Sequence, residues 1–165
     1  MNESIRNSKA MKAVSLLLIA GGVVGIIVAL MADVRYLSIP GASFFSPSVA
    51  IVGVFNLIYG WGIWTGVDLW RGKSQALLWA RILFALQILA ITVPGFTYEF
   101  HTGFIIQVLL RGAQIHFGFN LGSSFAFYIS QSIEGFALGI NVFAVGVFVY
   151  LMGAGRPKPN NFGLI

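Results

Sequence analysis

Four long apolar stretches order the chain. Ala13 to Ala32 and Ser48 to Val67 each run 20 residues without a charge, and Gly135 to Gly155 runs 21. A helix rising 1.5 Å per residue needs about 20 residues to cross a hydrocarbon core of about 30 Å. The pattern therefore predicts four membrane spans, at about 13–32, 48–70, 76–95 and 133–153. The third carries Arg81 in its second turn, from where a guanidinium can snorkel to the headgroups, and Pro94-Gly95 ends it. The expected fold class is an all-α membrane protein, a four-transmembrane-helix bundle forming one domain over residues 1–165. The first span exceeds the roughly 7–15 residue core of a signal peptide, and Leu30-Met31-Ala32 is a poor cleavage site, so an anchored helix is expected.

The connections between spans are unequal. Arg71 to Gln75 is a tight turn, whereas Phe96 to about Glu134 far exceeds the usual helix–helix connection of roughly 2–8 residues. Within it, Gln114, His116, Gly118 and Asn120 alternate with Ile115, Phe117, Phe119 and Leu121, the period of a strand. A turn at Arg111-Gly112 would fold this run back on Thr102–Leu110. Leu110 would then face Ala113, Gln107 would face His116, and Phe104 would face Phe119. One face would collect Phe104, Ile106, Val108, Ile115, Phe117 and Phe119, and the other Gln107, Gln114, His116 and Asn120. A β-hairpin over 102–121, outside the cytoplasm, is the expectation, with a short re-entrant helix over Thr102–Leu110 as its alternative. A lone hairpin is marginal in water, so its oily face needs a support.

Composition agrees with a membrane location. Of 165 residues, 58% are hydrophobic and 9% charged, and the mean hydropathy is +0.87. Soluble domains carry about 25% charged residues, so a soluble enzyme or a nucleic-acid-binding domain is excluded. Arg6, Lys9, Lys12, Arg71, Lys73, Arg81, Arg156 and Lys158 fall on one side of the expected spans, with only Arg35 and Arg111 opposite. The positive-inside rule places both termini in the cytoplasm and the chain in the cell membrane as a multi-pass protein. With no cysteine, thiolate and disulfide chemistry is excluded.

Small residues recur four apart, at Gly21 and Gly25, Gly62 and Gly66, and Gly135 and Gly139. That spacing lets a second backbone approach a helix closely, either within the chain or from another subunit. Trp64 and Trp70 suit the interfacial belt, and Asp68 lies near Arg71 and Lys73. The run GIWTGVDLWRGKSQALLWARI (Gly62 to Ile82), around Trp64 to Ile82, resembles a pattern in small four-span prokaryotic membrane proteins of uncharacterised function. The resemblance implies a membrane location and no particular chemistry.

Candidate polar residues are few. Glu134 at the edge of the fourth span would pair with Arg111 or Arg35, with Gln131 nearby. Glu99, His101 and His116 are the residues able to ligate a metal, but no spacing fixes two of them on one helical face, so neither a metal nor another cofactor is expected. Asn56, Gln87 and Asn141 lie within the spans, where amides hydrogen-bond between helices or line a solute path. The function expected is a non-catalytic structural or accessory subunit of a larger membrane assembly. Its partners would be the bilayer and either other membrane subunits or further copies of itself, not nucleic acid. The alternative is a small-solute transporter, a channel or a membrane-embedded enzyme using the polar residues near the outer face.

Overall fold

The structure is a computed structural model that describes residues 8–129 and 135–154. Helix α1 (Lys9–Leu37) starts where the Ser8 hydroxyl accepts from the Met11 N–H. Helix α2 (Pro47–Trp70) starts the same way at Ser46, with Pro47 in the first turn, where a missing N–H costs nothing. At 29 and 24 residues, they reach about 43 and 36 Å. Both are long and apolar enough to cross a membrane.

The other two apolar runs are not spanning helices, which corrects the four-helix bundle expected from the sequence. The third divides into a 13-residue helix α3 (Ser74–Leu86) and strand β1 (Leu89–Val93). The fourth divides into strand β6 (Ala137–Asn141) and a 13-residue helix α4 (Val142–Ala154). Such helices reach about 20 Å, short of a hydrocarbon core. Two amides set the changeovers. Gln87 turns its side chain back to the Leu83 carbonyl and across to Thr102, at the point where α3 ends. Asn141 Oδ1 accepts from the Ala144 N–H (3.3 Å), capping α4 so that the helix cannot run back into β6.

Strands β2 (Phe96–His101), β3 (Phe104–Arg111), β4 (Gln114–Leu121) and β5 (Ser124–Ile129) fill the long connection. Among the described residues, six strands form one antiparallel sheet in the order β4-β3-β6-β1-β2-β5. The β3–β4 hairpin lies where the sequence pattern puts it and sorts its faces the same way, but its register differs. Leu110 pairs with Ile115, Gln107 with Gly118 and Phe104 with Leu121. The turn is Gly112-Ala113 instead of Arg111-Gly112, because tight hairpin turns need φ > 0 at their first central residue and Gly112 supplies +58°. The hairpin is not isolated either, since β3 also pairs with β6.

The sheet cannot be flat. Five strand spacings would hold β4 and β5 about 24 Å apart. Gly122 and Ser123 alone join them, and three Cα–Cα steps span at most about 11 Å. Thr102-Gly103 likewise joins β2 to β3 across three spacings, about 14 Å in a flat sheet. The sheet therefore curls until its edge strands meet at one end.

At that end the sheet rests on the middle of α1, while the N-terminal half of α1 packs with Leu69 of α2, Leu83 and Phe84 of α3, and Leu151 of α4. Phe55 and Tyr59 of α2 meet Phe100 and Phe125 of the sheet, with Phe55 stacked on Phe125 at 4.4 Å between ring centroids. The α1–α2 contact uses Gly22, Gly25 and Gly66, where an added Cβ would strike Ile63, the Tyr59 ring and the Ser15 carbonyl. Gly21 faces the sheet instead, and Gly62 meets only the Leu18 carbonyl, at 3.8 Å. Gly135 and Gly139 are not on a helix at all: Gly139 lies in β6 and Gly135 precedes it. Arg81 does not snorkel to headgroups. Its guanidinium donates twice to the Leu151 carbonyl (2.9 and 3.2 Å), occupying an acceptor that the last turn of α4 leaves open.

Substituting Gly25→Ala drives a methyl into the Tyr59 ring and is expected to cost about 1–3 kcal/mol. Gly53→Ala, whose Cβ meets nothing within 4 Å, is expected to be neutral or slightly stabilising. Unfolding of both variants in detergent checks the contrast, and equal midpoints would contradict this packing.

Candidate functional site

Curling gives the sheet an inner and an outer face of opposite character. Residues paired directly across strands share a face. One face carries Thr92, Thr97, Glu99, His101, Gln107 and Asn141, together with Ala90, Ala126, Ala137 and Gly139. Of these, Ala90, Thr97, His101, Ala137, Gly139 and Asn141 are buried. The opposite face of the same strands turns Leu89, Ile106 and Ile140 outward, each more than two-fifths exposed. The small and polar side chains are therefore gathered on the concave side, where Ile105, Leu109 and Tyr128 join them, while Leu89, Ile106 and Ile140 are on the convex side. β4 extends both faces beyond the curl: Gln114, His116 and Asn120 continue the polar face, and all eight of its residues are exposed.

The floor of the concave face is a hydrogen-bonded knot where both two-residue links meet α1 and α3. Ser123 Oγ donates to the Gly21 carbonyl (2.6 Å) and accepts from the Gly103 N–H (3.2 Å). The Gly122 N–H donates to the Gly103 carbonyl (2.7 Å). Gln87 Oε1 accepts from both the N–H and the hydroxyl of Thr102 (3.0 Å each). A Cβ on Gly21 would lie 2.8 Å from the Gly103 nitrogen, so only glycine admits this approach.

Beside the knot stand the two titratable groups that the structure brings together. Glu99 and His101, two residues apart on β2, share the inner face, and Glu99 Oε1 lies 2.9 Å from His101 Nε2. The imidazole is fully buried, the carboxylate 38% exposed. His101 Nδ1 has no partner among the described residues, and the Tyr59 hydroxyl donates to the His101 carbonyl (3.4 Å). The His101 hydrogen bond holds the Glu99 carboxyl below the usual carboxylate range; partial burial opposes this and the imidazole charge adds to it. Such a pair can bind a cation or hand on a proton.

The other candidates are dispersed. His116 shares the inner face from β4, which lies four strands from β2 in the sheet order. Among the described residues no three histidine or carboxylate side chains gather to hold a metal ion. Arg35 lies in the last turn of α1 and Arg111 ends β3, both exposed. Gln131 and Glu134 lie outside the described residues, and with them the expected ion pair. Asn56 Oδ1 is buried on α2 without a partner among the described residues. Asn141 and Gln87 hold helix–strand junctions rather than a path between helices. The sequence pattern does not single out Ser123 or the Thr102-Gly103 link as a site; Thr102 enters only as the start of the hairpin. Two short polar links, TG and GS, each between strand-like runs, were the available signal.

Because folding lowers the Glu99 pKa, its stabilising contribution is present above the ordinary carboxylate value and disappears as pH falls through the folded-state value. The native chain is therefore expected to lose stability between neutral and acid pH more steeply than Glu99→Gln. Unfolding midpoints across that range check this, and parallel curves would contradict it. Comparison with family models, with curated proteins and with solved structures finds no match to this chain.

Proposed function

We propose that this chain is a non-catalytic, membrane-anchored component of a protein assembly, held in the bilayer by α1 and α2 and engaging its partners through the sheet. The observation that carries the reading is the state of β4. Ile115, Phe117, Phe119 and Leu121 are 63%, 82%, 71% and 76% exposed, on a strand with no proline and no Lys, Arg, Asp or Glu. Edge strands of free-standing proteins are normally blunted by such residues, and contiguous exposed apolar surface marks contact with protein or membrane.

Charge supports an orientation with the N-terminal end of α1 in the cytoplasm. Lys12 lies over the Trp70 ring (5.4 Å), Lys73 pairs with Asp68 (2.8 Å), and Ser8 meets Tyr150 of α4 (3.1 Å). Lys9, Lys12, Arg71 and Lys73 thus gather at one end of the helices, the side that the positive-inside rule assigns to the cytoplasm.

Native mass spectrometry of the protein extracted from its own membrane in mild detergent tests the reading. A complex of fixed stoichiometry, with itself or with other subunits, is expected. A lone monomer at concentrations where the fold is intact would overturn it.

A further inference from the structure

The sheet ends on two unlike edges, β4 and β5, and neither pairs outward among the described residues. Alternate residues of an edge strand point their N–H and C=O groups away from the sheet. In apolar surroundings those groups need protein partners, because lipid offers none. From the sequence, neither strand contains a proline or a formally charged residue that would discourage pairing.

β5 borders a groove of about 490 Å³ that is also lined by Val28 and Ala32 of α1 and Ile51 and Val52 of α2. An extended strand laid there would need an oily side toward these walls and a polar side toward the inner face of the sheet. β4 has that pattern. Its odd-numbered residues, Ile115 to Leu121, are apolar, and Gln114, His116 and Asn120 are polar. On β5 the odd-numbered residues Phe125, Phe127 and Ile129 likewise belong to the outer face, with Ser124 and Ala126 on the inner one. Resting on the reading of this chain as an assembly component, we propose that β4 of one copy adds antiparallel to the free edge of β5 in a second copy. The faces match when Leu121, Phe119 and Phe117 stand opposite Phe125, Phe127 and Ile129 of the neighbour.

Strand direction selects this pairing over β4 with β4. Every neighbouring pair in the sheet is antiparallel, so β4 and β5, five steps apart, run in opposite directions. β5 begins beside Gly21 and ends in the groove lined by Tyr36 and Pro47, so it follows α1. Copies that share one orientation in a membrane therefore present β4 antiparallel to a neighbour's β5. An antiparallel β4–β4 contact would require one copy to be inverted. A contact that uses a different edge on each copy is heterologous, and it makes a ring where the rotation between copies closes and an open array where it does not.

The chain has no cysteine, so cross-linking reads the pairing directly. Asn120→Cys and Ala126→Cys, in differently tagged chains expressed together, put thiols on opposed inner-face positions of the proposed register. Oxidation in native membranes is expected to give the mixed disulfide in roughly tenfold excess over the Asn120→Cys homodimer, since only facing Cβ atoms about 4 Å apart can bridge. A dominant Asn120→Cys homodimer would overturn the proposal in favour of a two-fold contact. A chain carrying both substitutions that links only within itself would overturn it in favour of closure within one copy. Native mass spectrometry separates this proposal from the reading beneath it. A single copy bound to other proteins ends self-pairing and leaves the assembly role standing, whereas a monomer without protein partners ends both. Phe117→Lys with Phe119→Lys, at exposed outer-face positions, is expected to dissociate the oligomer while circular dichroism stays unchanged. An oligomer that persists in that variant would overturn the proposal.

Discussion

The contact of Gly21 with the links 102–103 and 122–123 is the constraint on which the rest of the molecule depends. Two strand-to-strand links, each too short for a flat sheet, converge on Gly21, the glycine of α1 that faces the sheet. Ser123 ties one link to the helix backbone, Gln87 ties the other to the end of α3, and a bond between Gly122 and Gly103 ties the links to each other. Each of these groups is buried or nearly so, and a buried polar group without a partner costs about 1–3 kcal/mol. The knot therefore fixes how far the sheet curls and where it sits on the helices.

From the curl follows the sorting of surfaces. On the concave face Ala90, Ala126, Ala137 and Gly139 leave room for the polar side chains, among which the Thr97 hydroxyl donates to that of Thr92. The convex face has room for Phe, Ile and Leu, and part of it is used against Phe55 and Tyr59 of α2. The result is a curled sheet with an apolar outer face and a mixed inner one. It is the arrangement expected of a sheet surrounded by lipid or by other apolar protein. In such surroundings the free strand edges, rather than the oily face, would be the costly feature of the monomer.

How much of this was legible in the sequence depended on whether local pattern or long-range pairing decided the outcome. The helices at Lys9–Leu37 and Pro47–Trp70 and the face sorting of the β3–β4 hairpin are local: long uncharged runs show the first two, and period-two alternation shows the third. The runs at 76–95 and 133–153 are equally apolar, but apolarity alone does not separate a buried strand from a helix. Ile91, Thr92 and Val93, followed by Pro94-Gly95 with Gly95 at φ +82°, form a β-branched strand and a two-residue turn. That signal is outweighed when the run is counted as one span. The alternation of Phe125, Phe127 and Ile129 is shorter still, and its meaning comes from β2 opposite it. At the candidate site, the Glu99–His101 spacing already implied a shared face on a strand. What the spacing could not supply was the burial of the imidazole, which depends on strands distant in sequence.

The central claim is that two of the four apolar runs change from helix to strand at Gln87 and at Asn141. Backbone and Cβ chemical shifts of Leu89–Val93 and Ala137–Asn141, recorded by solid-state NMR in lipid bilayers, test it most directly. The account predicts extended-strand shifts in both segments, with helical shifts confined to Ser74–Leu86 and Val142–Ala154 in those two runs. Continuous helical shifts through Val93 and back through Ala137 would contradict it and restore a four-span bundle.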